Sequence, residues 1–503
     1  MRRTLLFVFL SVFVVPLSYA QQIAGTWTGG ASSRALWGGV LLQLSHSGDN
    51  WVGNGSVQFE GRQRPSEVTG LKIDGPRISF QMTWEGHVLR FQGLLEGDRL
   101  RGTFAVEING ESVSGDWDLI RLAPVGSERI ELPDTTGPYA VGRTTLHWID
   151  EKRKEIAKPD SQDKREFIAY VWYPTAHVQQ RAPYLPDLHE MEKVLPSKVA
   201  ANMRQLTVAA QQDGHLIAGA ERFPVVIFSP GAGVKTLFYS ALQTELASHG
   251  YVVVALEHPY DAPVVVFPDG RILYSLPPKK SSNSAEGERQ EMEKAADYRA
   301  RDIVFANGKL SEVAADTRSL FRNRLDLHRV AVVGHSIGGM AALRACQLEE
   351  RIGACVNIDG AYRARPYPSD RPLGLRQPAM WLRRPLYVFT DAQLHGIGMT
   401  RGEFNAEILL GQQLLGGSRG GDLDVQLPQA GIDHMDFSDV RVLESGVSRE
   451  DRAARLLTME MEREWVLDFV GKSLDGQPVR ASLIDTAARY REAHLSVYDQ
   501  SKQ

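Results

Sequence analysis

Hydrophobic and polar residues follow two different patterns along this chain, and the first pattern gives way to the second near residue 140. In residues 21–122, apolar and polar side chains alternate in short runs separated by turns that contain glycine. Such alternation predicts half-buried antiparallel strands. The runs lie at 39–44, 51–59, 77–84, 87–95, 100–106 and 113–122. Because a Gly-x-Trp motif stands near both ends, at Trp27 and Trp117, we expect a small closed β-barrel whose first and last strands are neighbours.

The second pattern begins after a linker at 123–137 and extends over residues 138–503. Here continuous apolar runs, typical of strands buried on both faces of a sheet, alternate with helical segments. The predicted strands lie at 165–172, 223–228, 251–256, 330–333, 354–358, 386–389 and 424–427, and the predicted helices lie at 235–248, 285–310 and 337–348. This alternation predicts an α/β fold, with a mostly parallel sheet covered by helices, preceded by a small accessory β domain.

The first twenty residues predict a targeting signal rather than part of the fold. Arg2 and Arg3 precede an apolar run at 5–15, and Ser18 and Ala20 supply small residues before the cleavage point. A membrane-spanning helix needs about twenty apolar residues, which is more than this run contains. We therefore expect residues 1–20 to be removed, leaving an exported protein, periplasmic or secreted, without a transmembrane anchor.

Composition narrows the range of partners and cofactors. The 503 residues carry a net charge of −4, which gives no reason to expect a nucleic acid as partner. Two cysteines, Cys346 and Cys355, are too few for a disulfide scaffold or a four-thiolate zinc site, so we expect two small buried, unpaired residues. The sequence contains no zinc-protease, phosphate-loop or EF-hand motif, so we expect neither a metal nor an organic cofactor.

The motif that bears chemistry is Gly-His-Ser-Ile-Gly-Gly at 334–339, between the apolar run 330–333 and a helix of small residues. In that setting a G-x-S-x-G motif forms a tight strand-to-helix turn, which presents its serine at the carboxyl edge of the sheet. The glycines two positions to either side allow one stretch of chain to approach another closely. Ser336 is therefore the predicted nucleophile, in preference to a simple helix-capping serine.

A serine hydroxyl needs a base to remove its proton, and the base needs an acid to orient it. In this architecture the acid and then the histidine follow the serine along the chain. Of His395, His434 and His494, we choose His434, because it lies in a loop just after the last predicted strand. The acid stays open at this point, since Asp359 and Asp391 both end predicted strands.

Six segments of the second region carry a family resemblance. They read SPGAGVKTLFYS at 229–240, ALEHP at 255–259, FPDG at 267–270, LDL at 325–327, GHSIGG at 334–339 and HMDFSD at 434–439. Together they resemble the plasma-type platelet-activating factor acetylhydrolase family, whose members are serine esterases with the α/β-hydrolase fold. The resemblance spans about residues 141–469. It implies Ser336 as nucleophile, His434 as base and Asp359, rather than Asp391, as acid.

The same resemblance implies an oxyanion hole built from two backbone N–H groups, those of Ala232 and Ile337. Two such preorganised donors stabilise the negatively charged oxygen of a tetrahedral intermediate. The chain departs from the family at Ile337, where Phe or another bulky residue is common, and in the segment 361–384, which is particular to this chain.

That segment is rich in arginine, with six arginines between residues 361 and 385 against one acid, Asp370. Because it follows the candidate acid Asp359, we expect it to border the site, and guanidinium groups bind phosphate and carboxylate bidentately. Arg363 and Arg365 are therefore candidate binding residues for an anionic ester. A solvated surface loop is an equally good interpretation of this segment.

The leading hypothesis is an exported serine esterase that cleaves short acyl esters of a small molecule or a lipid, including phospholipids. Contact with a lipid interface is one option for such an enzyme. An alternative keeps the same three residues but acts on cutin-like polyesters or on peptide bonds. A third hypothesis, from another class, is a secreted ligand-binding protein without catalytic activity. Reaction with a fluorophosphonate probe distinguishes the enzymes from the binding protein.

Overall fold

The computed structural model describes residues 22–33, 37–47, 50–59, 62–108, 110–122, 130–158, 162–195, 197–276, 285–361, 375–384, 391, 394, 400–406, 422–427, 432–444, 447–476, 486 and 493–498. The predicted signal at 1–20, the predicted strand at 386–389, Arg363, Arg365 and His395 lie outside these residues. The chain divides into two compact units, with the boundary after Leu122. In the described part of the chain, no helix is both long enough and apolar enough to cross a membrane.

Nine strands are described in the first unit. They are β1 (Gly25–Ser32), β2 (Trp37–Ser47), β3 (Asn50–Phe59), β4 (Arg62–Glu67), β5 (Thr69–Asp74), β6 (Arg77–Trp84), β7 (His87–Glu96), β8 (Arg99–Ile108) and β9 (Glu111–Arg121). Glycines and turn residues separate them, and the alternating pattern of β6 buries Ile78, Phe80 and Met82 on one face.

These strands form one sheet in the order β4-β3-β2-β1-β9-β8-β7-β6-β5. Strand β1 pairs antiparallel with β9, with Gly29 opposite Leu119, so the prediction that the first and last strands are neighbours is confirmed. The two ends of the order, β4 and β5, follow each other along the chain, and the sheet is nearly barrel-shaped. Phe80 and Phe91 stack inside it with ring centroids 4.8 Å apart, and Trp117 packs edge-on against both.

The second unit mixes strands and helices. Its described strands are β10 (Ala140–Lys154), β11 (Lys164–Thr175), β12 (Ala182–Pro183), β13 (Thr207–Val208), β14 (Ala210–Gln212), β15 (Phe223–Ser229), β16 (Val252–Glu257), β17 (Val264–Val266), β18 (Ile272–Tyr274), β19 (Leu325–His335), β20 (Ala354–Ile358), β21 (Ala379–Arg383), β22 (Asp422–Gln426) and β23 (His494–Tyr498). The helices with described bounds are α1 (Leu188–Met191), α2 (Ser197–Met203), α3 (Ser240–Ser248), α4 (Ala285–Ala315), α5 (Ile337–Leu348), α6 (Asp439–Val442) and α7 (Arg449–Leu474). Short 3₁₀ helices cover Thr236–Tyr239 and His434–Phe437.

Ten of these strands form one sheet in the order β14-β10-β11-β16-β15-β19-β20-β21-β22-β23. Strands β16, β15, β19, β20, β21 and β22 run parallel to one another, as predicted, and their apolar residues are buried on both faces. The carboxyl ends of parallel strands meet at one edge of a sheet. Ser229, Glu257, His335 and Ile358 end four of these strands, so the loops that follow them all leave the sheet at this edge.

The expectation of two unpaired cysteines is wrong. Cys346 and Cys355 are buried, as expected, but they form a disulfide, with Cα atoms 6.6 Å apart. Cys346 lies near the end of α5 and Cys355 lies in β20, and the helix packs against that strand. The pairing is a tertiary effect that the spacing of nine residues does not indicate. The disulfide joins the helix that follows Ser336 to the strand that precedes Asp359.

Candidate active site

Ser336 lies on a sharp turn between β19 and α5. Its backbone φ of 57° falls in the left-handed region. That conformation costs a non-glycine residue about 1–3 kcal/mol. A Cβ on Gly334 would collide with the carbonyl oxygen of Gly338, and a Cβ on Gly338 would collide with that of Ser229. The prediction that chain approaches chain too closely for a side chain at both glycines is therefore confirmed.

Ser336, His434 and Asp359 come from three segments and form one line of hydrogen bonds. Ser336 Oγ is 2.9 Å from His434 Nε2, and His434 Nδ1 is 2.5 Å from Asp359 Oδ2. Ser336 follows β19, Asp359 follows β20, and His434 opens the 3₁₀ helix after β22. The side chain of His434 is 34% exposed, whereas that of Asp359 is buried. The structure thus brings together the three residues that the sequence predicts as nucleophile, base and acid.

Arg384 holds Asp359 in its ionised form. The guanidinium Nε donates to Asp359 Oδ2 at 2.7 Å, and the Arg384 amide donates to Oδ1 at 2.9 Å. Burial alone would raise the pKa of Asp359, but the positive charge of Arg384 and the hydrogen bond from His434 lower it to about 2. The ionised carboxylate accepts a hydrogen bond from the Nδ1–H group of His434, which leaves the Nε2 lone pair facing Ser336. The sequence pattern did not indicate this role for Arg384.

The alternative acid, Asp391, is exposed and paired elsewhere. Its side chain is 76% exposed and forms an ion pair with Arg401 at 2.8 Å. The described contacts of His434 Nδ1 therefore favour Asp359 over Asp391 as its partner. His494, one of the other two candidate bases, begins β23 in register with Gln426 of β22. His395, the third, is among the residues that the structure does not describe.

The loop that contains Ala232 passes beside Ser336. A Cβ on Gly231 would lie 3.5 Å from the Cβ of Ser336. Ala232 is exposed, and Ile337 is the first residue of α5, where an amide N–H has no acceptor within the helix. Within the described residues, the amides of Ala232 and Ile337 have no hydrogen-bond partner. Two such donors near Ser336 fit the requirement for an oxyanion hole.

A second histidine, His335, packs against His434, with ring centroids 4.5 Å apart. His335 Nε2 is 3.0 Å from the carbonyl oxygen of His434, and Nδ1 is 2.8 Å from the hydroxyl of Tyr239. Burial, and then the nearby His434, lowers the pKa of His335 to about 3, so its ring is neutral near pH 7. The bonding pattern assigns the proton to Nε2, which donates to the carbonyl, while Nδ1 accepts from Tyr239. No sequence pattern indicated a role for His335 or Tyr239.

A second serine, histidine and aspartate in the described part of the chain have the same connectivity, and we call them the Ser229 set. Ser229 Oγ is 3.0 Å from His258 Nε2, and His258 Nδ1 is 2.9 Å from Asp302 Oδ2. All three residues are at most 2% exposed. Asp302 also accepts from Arg165 at 2.6 Å and from Arg153 at 2.8 Å. The Ser229 set therefore lies inside a buried ion-pair network, out of reach of a substrate.

The described arginines of the segment 361–384 are paired with carboxylates. The pairs are Arg376 with Glu350, Arg383 with Asp424, and Arg384 with Asp359. Arg363 and Arg365, the predicted anion-binding residues, lie outside the described residues. The preference for anionic esters therefore stays a prediction.

Three side chains of the site have spacings that would suit a metal ion, since ligand atoms of His335, Asp359 and His434 lie within 4.8 Å of one another. Each of these residues already makes a hydrogen bond within the site. His434 Nδ1 bonds to Asp359, and His335 Nε2 bonds to a carbonyl oxygen. His434 Nε2 keeps its lone pair, and that lone pair faces Ser336 Oγ. The arrangement suits removal of the serine proton better than metal binding.

Comparison with known families gives two matches within the second unit. Residues 125–267 match a family described as platelet-activating factor acetylhydrolase, isoform II, and residues 226–471 match the alpha/beta hydrolase family. A solved ferulic acid esterase from Streptomyces cinnamoneus is 24% identical and superimposes with a TM-score of 0.56, covering 73% of this chain and 99% of its own. The second unit therefore has the α/β-hydrolase fold.

Curated relatives have esterase names. A probable 1-alkyl-2-acetylglycerophosphocholine esterase from Arthroderma benhamiae is 25% identical over 46% of this chain and 58% of its own length. Platelet-activating factor acetylhydrolases from Cavia porcellus and Bos taurus are 25% and 26% identical, over 45% and 48% of this chain and 55% and 57% of theirs. The chain thus spans a little over half the length of these relatives. The resemblance to the acetylhydrolase family that the sequence segments indicate is confirmed.

Proposed function

We propose that this protein is a serine esterase with Ser336 as nucleophile, His434 as general base and Asp359 as the carboxylate that orients the base. The observation that carries the proposal is the 2.9 Å contact between Ser336 Oγ and His434 Nε2, on a strained strand-to-helix turn. A hydroxyl with a base in contact and amide donors nearby is equipped for acyl transfer. The esterase names of the relatives support an ester as the bond that is cleaved.

The first half of the reaction forms an acyl-enzyme. Ser336 Oγ attacks the carbonyl carbon of the ester while His434 Nε2 takes the hydroxyl proton. The negative charge that develops on the carbonyl oxygen faces the N–H groups of Ala232 and Ile337. The intermediate then collapses, the bond to the alcohol oxygen breaks, and His434 returns the proton to that oxygen. Asp359 stabilises the imidazolium without taking its proton, because its pKa of about 2 keeps it ionised.

The second half releases the acid and restores the enzyme. A water molecule takes the place of the alcohol, and His434 Nε2 removes its proton as the oxygen attacks the acyl carbon. Collapse of the second tetrahedral intermediate breaks the bond to Ser336 Oγ, which regains its proton from His434. The products are a carboxylic acid and the free serine hydroxyl.

Short acyl esters of lipid-like alcohols are the proposed substrates. The support is the name of the Arthroderma benhamiae relative, which specifies an acetyl ester of a glycerophosphocholine. Aromatic esters are the second class, since the structural neighbour is named as a ferulic acid esterase. Arg363 and Arg365 remain candidates for binding an anionic group on the alcohol side.

We also propose that the protein is exported. The basic, apolar and small-residue pattern of residues 1–20 supports this, as does the buried disulfide between Cys346 and Cys355. Disulfides persist in oxidising compartments and are rare in the cytosol. Cell fractionation of the full chain, followed by sequencing of the mature N-terminus, tests the proposal: cytosolic protein that keeps residues 1–20 would contradict it.

Hydrolysis of p-nitrophenyl esters of increasing acyl length tests the esterase proposal, with wild type and Ser336→Ala compared. We expect kcat of the wild type to fall as the acyl chain becomes longer. The Ser336→Ala variant should lose this activity. Hydrolysis of methyl ferulate tests the aromatic class of substrates, and hydrolysis of a p-nitroanilide tests peptidase activity. A comparison of phosphorylated and neutral esters of equal acyl length tests whether Arg363 and Arg365 bind an anionic group. Folded wild-type protein that hydrolyses none of these would favour the ligand-binding alternative.

A further inference from the structure

Residues 229–233, which we call the Ala232 loop, are held by side chains on both sides of Ala232. On one side, the carbonyl oxygen of Pro230 accepts from Arg299 Nη1 at 2.7 Å, and the amide of Gly231 donates to the hydroxyl of Tyr239 at 3.1 Å. On the other side, the amide of Gly233 donates to Asp261 Oδ2 at 3.3 Å. Between these anchors, the amide of Ala232 has no partner in the residues that the structure describes.

One ion pair joins the two sides of the loop. Arg299 Nη2 bonds to Asp261 Oδ2, the same oxygen that accepts from Gly233. Arg299 lies on α4 and is buried, whereas Asp261 follows β16 and is about one-third exposed. The guanidinium is planar and its donors point in fixed directions, so it defines where Pro230 O and Asp261 sit relative to each other. A shift of either partner would move the Ala232 amide.

Tyr239 connects the same loop to the rest of the site. Its hydroxyl accepts from Gly231 and donates to His335 Nδ1 at 2.8 Å. His335 precedes Ser336 and donates through Nε2 to the carbonyl oxygen of His434. Burial raises the pKa of Tyr239 above its usual range, so the hydroxyl stays protonated and can serve as this donor. The chain of bonds therefore runs from the Ala232 loop through the serine turn to the segment of the base.

An oxyanion donor works only if its N–H points at the place where negative charge develops, at about 2.7–3.1 Å. Groups on loops reach that precision when neighbouring hydrogen bonds fix them. Gly233 adopts a φ of 68°, which glycine reaches without steric strain, so the peptide next to Ala232 is fixed by the neighbouring hydrogen bonds and not by its own backbone preference.

We propose that Tyr239, Arg299 and Asp261 form a clamp that positions the Ala232 amide as an oxyanion donor. The proposal rests on the proposed esterase function and adds three positioning residues to it. None of them exchanges protons with the substrate. They act by keeping the Gly231 and Gly233 peptides in place on either side of the donor.

The test compares Tyr239→Phe, Asp261→Asn and Asp261→Ala with wild type. We measure kcat and KM for p-nitrophenyl acetate, and the inhibition constant of a trifluoromethyl ketone, which forms an oxyanion on the serine. We expect kcat to fall about 10- to 100-fold in Tyr239→Phe and Asp261→Ala, and less in Asp261→Asn, whose amide oxygen can still accept from Gly233. KM should change less than about threefold, and the inhibition constant should rise by the same factor as kcat falls.

Two matched controls separate positioning from stability. Tyr173→Phe removes a buried hydroxyl that bonds to the carbonyl oxygen of Gly214, remote from the Ala232 loop, and Arg301→Gln removes an exposed ion pair with Asp297 on the helix of Arg299. Both should keep kcat and the inhibition constant of wild type, whatever their melting temperatures.

Unchanged kcat and inhibition constant in folded Tyr239→Phe and Asp261→Ala, with active wild type, would overturn the clamp and leave the esterase proposal intact. If Tyr239→Phe does not fold, the two Asp261 variants decide, because that side chain is partly exposed. Wild-type protein without esterase activity would instead contradict the proposed function itself.

Discussion

Two Ser-His-Asp sets lie at the same edge of the large sheet, and their hydrogen bonds are nearly the same. In the set of Ser336, the distances are 2.9 Å from Oγ to Nε2 and 2.5 Å from Nδ1 to Oδ2. In the Ser229 set, the corresponding distances are 3.0 and 2.9 Å. Each serine ends or follows a central parallel strand, and each histidine comes from a different segment. Connectivity and distance alone do not distinguish them.

The backbone conformation of the serine and the solvent exposure of the histidine do distinguish the two sets. Ser336 has a positive φ in the turn that follows β19, whereas Ser229 is the last residue of β15 and has an ordinary strand conformation. His434 is one-third exposed, whereas His258 is buried with Ser229 and Asp302. A reactive serine therefore differs from a structural one in its backbone turn and its exposure, and the Ser229 set, which lacks both, is part of a buried ion-pair network.

The charges around the two aspartates differ as well. Burial would raise the pKa of Asp302, but Arg165 and His258 hold it well below its usual range. Arg153 adds a second guanidinium. Among the residues that the structure describes, Asp359 faces the guanidinium of Arg384. Asp302 is thus committed to ion pairing, whereas Asp359 mainly orients an imidazole.

Replacement of the two serines should give the largest difference. Ser336→Ala should lower kcat for p-nitrophenyl acetate by about 10⁴- to 10⁶-fold, because no nucleophile remains. Ser229→Ala should keep kcat within about tenfold of wild type, since its hydroxyl only bonds to His258. Initial-rate kinetics on both purified variants measures this. A decrease in kcat in Ser229→Ala as large as that in Ser336→Ala would contradict the choice of Ser336 over Ser229 as nucleophile.

Replacement of the two candidate acids comes next. Asp359→Asn should lower kcat by about 10⁴-fold, because an amide favours the wrong tautomer of His434. Asp391→Asn should leave kcat unchanged, because its carboxylate is exposed and pairs with Arg401. The two variants are assayed side by side with the same ester. Equal activity of both would remove Asp359 from the proposed mechanism.

For stability, the Ser229 set should matter more than an exposed ion pair. Asp302→Asn should reduce the free energy of unfolding by up to about 3–5 kcal/mol, because Arg165 and Arg153 each lose one of two buried carboxylate partners and keep only Glu155 and Asp150. Asp391→Asn, which removes an exposed pair, is the control and should leave that free energy unchanged. Urea unfolding followed by circular dichroism gives both values. An Asp302→Asn variant as stable as wild type would show that the buried network is dispensable.

The smallest effect is on the pH dependence of stability. The folded-state pKa values of His335 and His258 are lowered, that of His335 to about 3, because both rings are buried. Below about pH 6.5, these histidines bind protons in the unfolded chain but not in the folded protein. The free energy of unfolding therefore decreases as the pH is lowered, by up to about 1.4 kcal/mol per pH unit for each ring. Between pH 6 and 4, His258→Gln should therefore show a shallower slope than wild type. Equal slopes would contradict this account of the buried rings.

The sequence predicts the parts of this site that lie at the ends of elements. Ser336 follows an apolar run and precedes a helix of small residues, and Asp359 and His434 each follow a predicted strand. Strands β4 and β5 were not predicted, since β4 contains Pro65 and β5 is largely exposed along its length. Strand β21 was missed because its five residues stand inside an arginine-rich segment.

Contacts between distant segments have no such signature. Asp302 reaches His258 from 44 positions away, and Tyr239 reaches His335 from 96 positions away. Arg384 was grouped with arginines expected to bind substrate, although it pairs with Asp359. The same limit applies to the disulfide between Cys346 and Cys355. These pairings depend on how helices pack on the sheet, which the order of residues alone does not reveal.

Of the serines in these two sets, only Ser336 is expected to react. The most direct measurement is to incubate the folded wild-type protein with a fluorophosphonate probe and to locate the label by mass spectrometry of the digested chain. We expect a label on Ser336, none on Ser229, and loss of esterase activity in proportion to labelling. A label on Ser229, or full activity of protein labelled at Ser336, would contradict it.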